Sequence, residues 1–458
     1  MISIVIPTHN RQSYLEKTLI ALSNQKNVDA KDFEVIVVDD ASEDGTENIV
    51  KSFYSKINLV YIKIESSHGN PSLVRNVGIK SAKGNLISFI DCGVIMNCNF
   101  VATLIQKYSK SNNIFVIHEI YGLFADVCKE MEKYTSDLLS LENSEQFTDM
   151  LKEYSYSSKW IDRRKELFAS DKIYTPWCYA WSCALTVSKA IIDQSGLFDE
   201  SFRGWGSEDV DFGYRCYLHG ANFIFDEVNP LFHIPHPTAS NKDKEKSNRN
   251  NRLIMHEKTY SFETEIFLYT FSTHMQAIMS FYDNLILRHV LPEYDKELWL
   301  KIKSNCLYSQ TINRALLIGA PSAEPLESLG FITNAFYLNK KQKSMIQAPK
   351  LNVQIENQLG CSTKYPEQYF DTIIITDVYR LLTDTYLIPF IKEMDRIGKR
   401  VYLIYNKSYV PNGVNMYGLV WRNLQNIIDI LPNNFKLNKI QEISENSIYI
   451  LDSGINHE

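Results

Sequence analysis

Along the first hundred residues, short apolar runs alternate with amphipathic stretches. Ser3 to Ile6 reads as a strand. Tyr14, Leu15, Thr18, Leu19 and Leu22 then recur at helical spacing, with Asn10 as the candidate cap. Phe33 to Val38 is a second apolar run and ends in Asp39 and Asp40. Glu47 to Tyr54 predicts a second helix, Leu59 to Ile64 a third strand, and Leu86 to Ile90 a fourth that ends at Asp91. Strand and helix in alternation predict an α/β fold whose mostly parallel sheet is covered by helices. Ligands of such sheets gather beyond the carboxyl ends of the strands. Asp39, Asp40 and Asp91 all fall there.

The pattern then changes. Residues 100 to 170 read as mainly helical and polar, and 176 to 236 are dense in Trp, Gly, Asp, Glu and His. The stretch TASNKDKEKSNRNNR (238–252) has almost no apolar residues and predicts a mobile loop. Aromatic-rich helical patterns follow from 253 to 305, including Phe267, Phe271, His274, Ile278 and Phe281 or Tyr282. From Arg314 a second α/β unit begins: ALLIGAPSAEP as strand and loop, FDTIIITD as a buried strand ending in an acid, Ile388 to Ile397 as a helix, Arg400 to Tyr405 as a strand, and NSIYILD as a terminal strand. The expected division is 1–255, a helical connector at 256–312, and a smaller α/β domain at 313–458.

Length and composition narrow the class. At roughly 150 residues per domain, 458 residues suit two large domains or three. Apolar residues at 45% and charged residues at 22% argue against a disordered chain. A net charge of -6 supplies no global field for nucleic acid. The first residues read directly as a strand, without a leader pattern, and no apolar run approaches the ~18 residues of a membrane span. Eight cysteines without a CxxC pair point to reduced thiols rather than zinc. The expected location is cytoplasmic, with a peripheral membrane association left open.

Four constellations carry chemistry. Asp39 and Asp40 could accept from ribose hydroxyls or a base N–H, or form an Asp-rich turn before DGT. In GNPSLVRNVGIKSAKGNLISFID (69–91), Arg75 lies one helical turn before Ile79, where a guanidinium suits a diphosphate, a base carbonyl or a surface ion pair. In GWGSEDVDFGYR (204–215), Gly204 and Gly206 bracket Trp205, and Glu208, Asp209 and Asp211 follow at the start of a predicted helix. Helix-dipole charge explains the acids but not the Gly-Trp-Gly turn. An aromatic face beside carboxylates is sugar-binding chemistry. In FHIPHP (232–237), His233 and His236 could each ligate a divalent metal if Asp91 comes near.

Together, IVIPTHNR, VIVVDDASEDGT, NPSLVRNVGI, GNLISFID and GLFDESFRGWGSEDVDFGYR, with the downstream HIPHP, resemble the GT-A family two nucleotide-sugar glycosyltransferases over residues 1–255. The last segments look like the branch shared by chondroitin-type polymerases, polypeptide N-acetylgalactosaminyltransferases and β-galactosyltransferases. The resemblance implies inverting transfer of a hexose or N-acetylhexosamine from a UDP-sugar to a glycan, glycolipid or peptide acceptor. It implies that Pro7, Thr8, Asn10 and Asp39 line the donor pocket, that Asp40 binds uridine and that Arg75 lies near base and phosphates. It further implies that Asp209 is the general base, that Glu208, Trp205, Gly206, Trp181 and Asp211 hold sugar or acceptor, and that Asp91 begins a motif holding manganese or magnesium. A base is needed to take the acceptor's proton, and a cation to stabilise the departing diphosphate.

Two departures stand out. The family's Asp-x-Asp reads Asp91-Cys92-Gly93 here, and Ser182-Cys183-Ala184 stands where relatives often have Gly-Asn. Either His233 or His236 supplies the missing ligand, or the basic residues Lys242, Lys244, Lys246, Arg249 and Arg252 neutralise the leaving group. The C-terminal unit resembles a degenerate class I methyltransferase. Gly319-Ala320-Pro321-Ser322-Ala323 lacks the Gly-x-Gly spacing, and the expected acid is replaced by Asn339 and Lys340, so S-adenosylmethionine is not expected to bind. The alternatives are a catalytically retired nucleotide-sugar or glycan-binding scaffold, favoured by Gly93, and a bifunctional glycosyl and methyl transferase.

Overall fold

The structure is a computed structural model that describes all residues except 68, 128–129, 154–159, 238–240, 271, 288–291, 307–310, 339, 347–351, 410–422 and 454–458. Phe271 and Asn339 thus lie outside the described residues. The chain divides into two compact units, Met1–Ile254 and Met255–Glu458. Each is built on its own sheet, which is the expected α/β class with a second sheet domain.

The first sheet contains β1 (Ile2–Thr8), β2 (Phe33–Asp40), β3 (Leu59–Ile64), β4 (Leu86–Ile90), β5 (Val94–Ile95), β6 (Ile114–Tyr121), β7 (Ala184–Ser188) and β8 (Asn222–His233). Their order is β3-β2-β1-β4-β7-β6-β8-β5. β1 to β4 are mutually parallel, β7 is reversed between β4 and β6, and β8 runs parallel to β6. The carboxyl ends of β1, β2, β4 and β8 therefore share one edge of the sheet. Thr8, Asp39, Asp40, Asp91 and His233 stand along it.

The apolar runs become strands because both sheet faces are covered. β2 buries seven of its eight residues and β4 all five. The helix Pro71–Ser81 begins with Pro at its first turn, and the Asn70 carboxamide accepts the Leu73 N–H at 3.2 Å. This helix lies so close to β1 that a Cβ on Gly78 would collide with Val5.

Three expectations are corrected. Asn10 does not cap the helix Gln12–Ser23; Arg11 occupies that position, and the Asn10 side chain instead accepts the Glu43 N–H at 2.9 Å across the loop. The region 100–170 does carry the helices Phe100–Tyr108, Met131–Ser140, Ser144–Glu153 and Arg164–Phe168, but the expectation leaves out β6, which runs through it fully buried. His118 and Glu119 disguise that strand, but His118 is bonded to Thr186 at 2.8 Å and Glu119 faces Lys165 at 3.8 Å. Of the expected mobile loop at 238–252, residues 238–240 lie outside the described residues, and those from 241 onward instead begin the helix Asn241–Thr259. Its polar side chains are used: Ser247 Oγ donates to the Arg203 carbonyl at 2.9 Å, and Asn251 donates to the carbonyls of Arg203 and Gly206 at 3.1 and 2.7 Å.

The second sheet contains β9 (Ala315–Ile318), β10 (Asn334–Tyr337), β11 (Gln354–Asn357), β12 (Thr372–Ile375), β13 (Val401–Asn406), β14 (Lys436–Ile443) and β15 (Asn446–Asp452). The order is β11-β10-β9-β12-β13-β15-β14, with β15 antiparallel to both neighbours. Tyr294, Leu298 and Trp299, from the segment read as a connector, pack into this unit's core with Ala315 and Leu317. Cys92, Cys98, Cys178, Cys183, Cys216 and Cys361 are free thiols. Among the described residues no helix is long and apolar enough to cross a membrane.

Candidate active site

The centre of the first unit is one buried guanidinium. Arg75, 6% exposed, points Nη1 at Glu208 Oε1 (3.1 Å) and Nη2 at Asp91 Oδ1 (3.5 Å). The two acids come from distant segments, Asp91 from the end of β4 and Glu208 from the start of the helix Glu208–Leu218. The 69–76 segment is tied to residues 198–204, which lead into Glu208. Asn70 donates to the Glu200 carbonyl at 3.0 Å, Asn76 donates to the Phe198 carbonyl at 2.8 Å, and the Gly204 N–H donates to the Gly69 carbonyl at 3.2 Å.

Asp209 is half-buried and firmly oriented. Its Oδ2 accepts the Ser182 N–H at 3.0 Å and the Ser182 hydroxyl at 3.3 Å, and its Oδ1 accepts the Val210 N–H at 2.8 Å. Burial raises its pKa above the ordinary carboxylate value, against the lowering effect of Ser182 and Arg75. Glu208 is pushed up to about 7 by burial and by the charge of Asp209, with Arg75 opposing. Burial works against the charge on Arg75, yet Asp91, Glu208 and Asp209 together raise its pKa. The pair Glu208 and Asp209 thus holds its protons more tightly than exposed acids do.

The paired acids of β2 separate into two roles. Asp39 is fully buried, and its oxygens accept the Ser42 N–H at 2.9 Å and the Tyr61 hydroxyl at 2.5 Å. It is a turn-holding residue, which corrects its expected place in a donor pocket. Asp40 is half-buried and binds both the N–H and the hydroxyl of Ser67 at 2.5 Å. Pro7 is half-buried, Asn10 is exposed, and Thr8 is buried with its hydroxyl 3.8 Å from the Cys92 sulfur.

Among the expected sugar contacts, Trp205 is 55% exposed between Gly204 (φ 69°) and Gly206 (φ 95°). Trp181 is half-buried next to Ser182, with the Arg164 guanidinium 4.7 Å from its ring centroid. Arg164 is itself fixed by Asp162 at 2.7 Å and by the His118 carbonyl at 3.0 Å. Asp211 does not face a ligand: it is 3% exposed and paired with Arg215 at 2.9 Å. The i, i+4 spacing of Asp211 and Arg215 on a helix carried that signal.

His233 and His236 are neighbours, with ring centroids 5.1 Å apart, and the charge of Asp91 acts on both. Burial pushes the His233 pKa down to about 4, which leaves a neutral imidazole at neutral pH. As metal ligands, Asp91, His233 and His236 do not make a fitting set. Asp91 Oδ1 faces a guanidinium. Gly93 contributes no side chain. Its φ of 100° would strain a carboxylate residue, and a Cβ added there would meet the Tyr14 ring at 3.3 Å. Among the described residues no three His, Cys, Asp or Glu side chains are gathered to hold a metal ion.

Residues 3–164 match the model of the family Glycosyl transferase family 2. Chondroitin synthase of Escherichia coli is 29% identical over 260 residues, 54% of this chain and 37% of its own length. Validoxylamine A glucosyltransferase of Streptomyces hygroscopicus subsp. limoneus is 28% identical over 242 residues, 52% of each chain. The chain thus spans about half or less of the length of these curated relatives. Among solved structures, Staphylococcus aureus TarS 1–349 in complex with UDP-GlcNAc matches at 20% identity and a TM-score of 0.38, covering 55% of this chain and 65% of that one.

Proposed function

We propose that the first unit is an inverting glycosyltransferase that moves a hexose or N-acetylhexosamine from a UDP-sugar to a glycan, glycoconjugate or peptide acceptor. The observation that carries this reading is the Arg75 junction, which draws Asp91 at the carboxyl edge of the sheet and the Glu208-Asp209 pair into one charged cluster. The family 2 match and relatives named as a synthase and a glucosyltransferase support it.

In this reading Asp209 is the general base. Its carboxylate takes the proton of the acceptor nucleophile as that atom bonds to the anomeric carbon. The bond from that carbon to the diphosphate breaks, and its electron pair leaves with UDP. The N–H groups of Ser182 and Val210 hold the carboxylate still, which keeps the remaining lone pairs aimed. Pro7, Thr8 and Asp40 would line the nucleotide pocket, with Ser67 fixing Asp40. Trp205 and Trp181 offer ring faces to sugars. No step runs through a metal.

The test is Asp209→Asn. Transfer or slow hydrolysis across a panel of UDP-sugars should fall by roughly 10²–10⁴, while UDP affinity stays near that of the native chain. Native turnover in this variant would overturn the base assignment.

Gly93 favours a second reading, a retired module that binds nucleotide-sugar or glycan without transfer. UDP-sugar binding with no turnover of any donor, in manganese, magnesium or chelator, would select it. For the second unit we favour a methyltransferase-like domain without methyl transfer. Asp377, beyond β12, is fully buried and committed to Tyr294 at 2.6 Å and to Arg380 at 2.5 Å. Heat from S-adenosylmethionine binding in calorimetry would overturn that reading.

A further inference from the structure

A nucleoside diphosphate gains negative charge as its sugar departs, and a transferase must neutralise it. The acidic set around Asp91 is ill-suited to a metal, so the charge must be met by other groups. Two cations outside the Arg75 cluster, Arg11 and Lys244, both act by their charge on His236.

Arg11 stands immediately after β1, at the start of the helix Gln12–Ser23. Its guanidinium carbon lies 5.5 Å from the Tyr14 ring centroid, and Tyr14 meets His236 edge to face at 5.6 Å. Arg11 is near enough to His233 and His236 for its charge to depress both imidazoles. Lys244 approaches from the helix Asn241–Thr259. It is half-buried, its Nζ lies 5.1 Å from the Trp205 ring centroid, and its charge also reaches His236. Burial depresses its ammonium. Lys242 and Lys246, on the same helix, are exposed. Two cations whose charges both reach one imidazole repel each other, and an anion between them removes that cost.

We propose that Arg11 and Lys244 form a clamp for the diphosphate of the nucleotide and supply the positive charge that a metal ion supplies elsewhere. The clamp rests on the UDP-sugar reading and deepens it. A guanidinium can bind two phosphate oxygens at once, and an ammonium acts as a point charge beside them. The Lys244 contact with Trp205 places the second cation next to the ring that would receive the sugar.

The experiment is calorimetric titration of the full chain with UDP and, separately, with uridine, in chelator and then in manganese. The native chain should bind UDP in chelator. Arg11→Met and Lys244→Met should each weaken UDP about ten-fold or more and leave uridine unchanged. Lys244→Arg should recover most of the loss, and Lys242→Met should have no effect. Thermal melts of the variants confirm that they are folded. If native UDP binding vanishes in chelator and returns with manganese while uridine binds throughout, the clamp is overturned and the nucleotide reading stands. Equal losses of UDP and uridine in the Met variants also overturn the clamp. If neither uridine nor UDP binds under either condition, the UDP-sugar reading falls and the clamp with it.

Discussion

Arg75 and Glu208 are 133 residues apart in the chain, yet they meet at 3.1 Å with both side chains almost out of solvent. Such a pair is costly to form and more costly to break, because removal of one partner strands the other charge. Arg75→Met should therefore destabilise the first unit by about 3–5 kcal/mol. Glu208→Gln keeps a hydrogen-bond acceptor and leaves Arg75 with Asp91, so its loss should be smaller. Urea unfolding of both variants checks the order. Equal stability of Arg75→Met and the native chain would show that the junction contributes nothing.

The raised pKa values give a pH signature. A general base works ionised, so activity falls as pH drops through its pKa. Burial raises Asp209, the proposed base, and under that proposal the acidic limb of kcat/KM should lie above the ordinary carboxylate value. Ser182→Ala removes the 3.3 Å hydroxyl bond that favours the ionised form, and should move that limb to higher pH. A limb at the ordinary carboxylate value in the native enzyme would contradict the assignment.

Stability should respond in the same range with a definite sign. Glu208 titrates at about 7 when folded, against 4.5 as its ordinary value. Between those values the folded chain holds a proton that the unfolded chain has lost. Stability from this group is therefore full below the lower value and declines as pH rises through the window. Glu208→Gln should flatten that decline, measured as the difference in Tm between mildly acidic and mildly alkaline buffer.

The Gly-Trp-Gly turn depends on backbone shapes that side chains resist. Gly206 has φ 95°, and a Cβ there would sit 3.0 Å from Asn248 Oδ1. Gly206→Ala should cost about 1–3 kcal/mol from strain. Asn251→Ala, which frees two carbonyls of the same turn, should cost about 1–3 kcal/mol as well. Both should speed proteolysis near residue 241, followed by mass spectrometry. Unchanged cleavage would mean that the turn and the helix Asn241–Thr259 are held by other contacts.

In the second unit, Glu265 is fully buried in the helix Phe262–Tyr269. Its carboxylate accepts the N–H groups of Leu359 at 2.6 Å, Ser362 at 3.0 Å and Cys361. Glu265→Ala leaves those donors unmet, and a loss of about 1–3 kcal/mol for each one exposed to no other acceptor is expected. Glu265→Gln should retain part of the stability, since its carbonyl still accepts. Denaturant midpoints of the two variants give the comparison.

Much of the fold was legible because apolar runs need little context. β3, β4 and β15 occupy the spans that their side-chain patterns predict. β6 was hidden because its His118 and Glu119 read as surface residues, and their partners Thr186 and Lys165 lie elsewhere in the sequence. The helix Asn241–Thr259 was hidden for a related reason. Composition registers its polarity, but not that Ser247 and Asn251 fall on one face and meet the Arg203–Gly206 turn.

The amino-acid sequence by itself determined the α/β class, the positions of acids at strand ends, and the ordered motifs that resemble those of family 2 glycosyltransferases. Those are local properties: periodicity, residue type and spacing. Tertiary structure alone decided which acids are available. It committed Asp39 to Ser42 and Tyr61, tied Asp211 to Arg215, and gathered Asp91 and Glu208 on Arg75. The reason is physical: a carboxylate's role depends on its burial and its nearest charges, and both are set by segments remote in the chain.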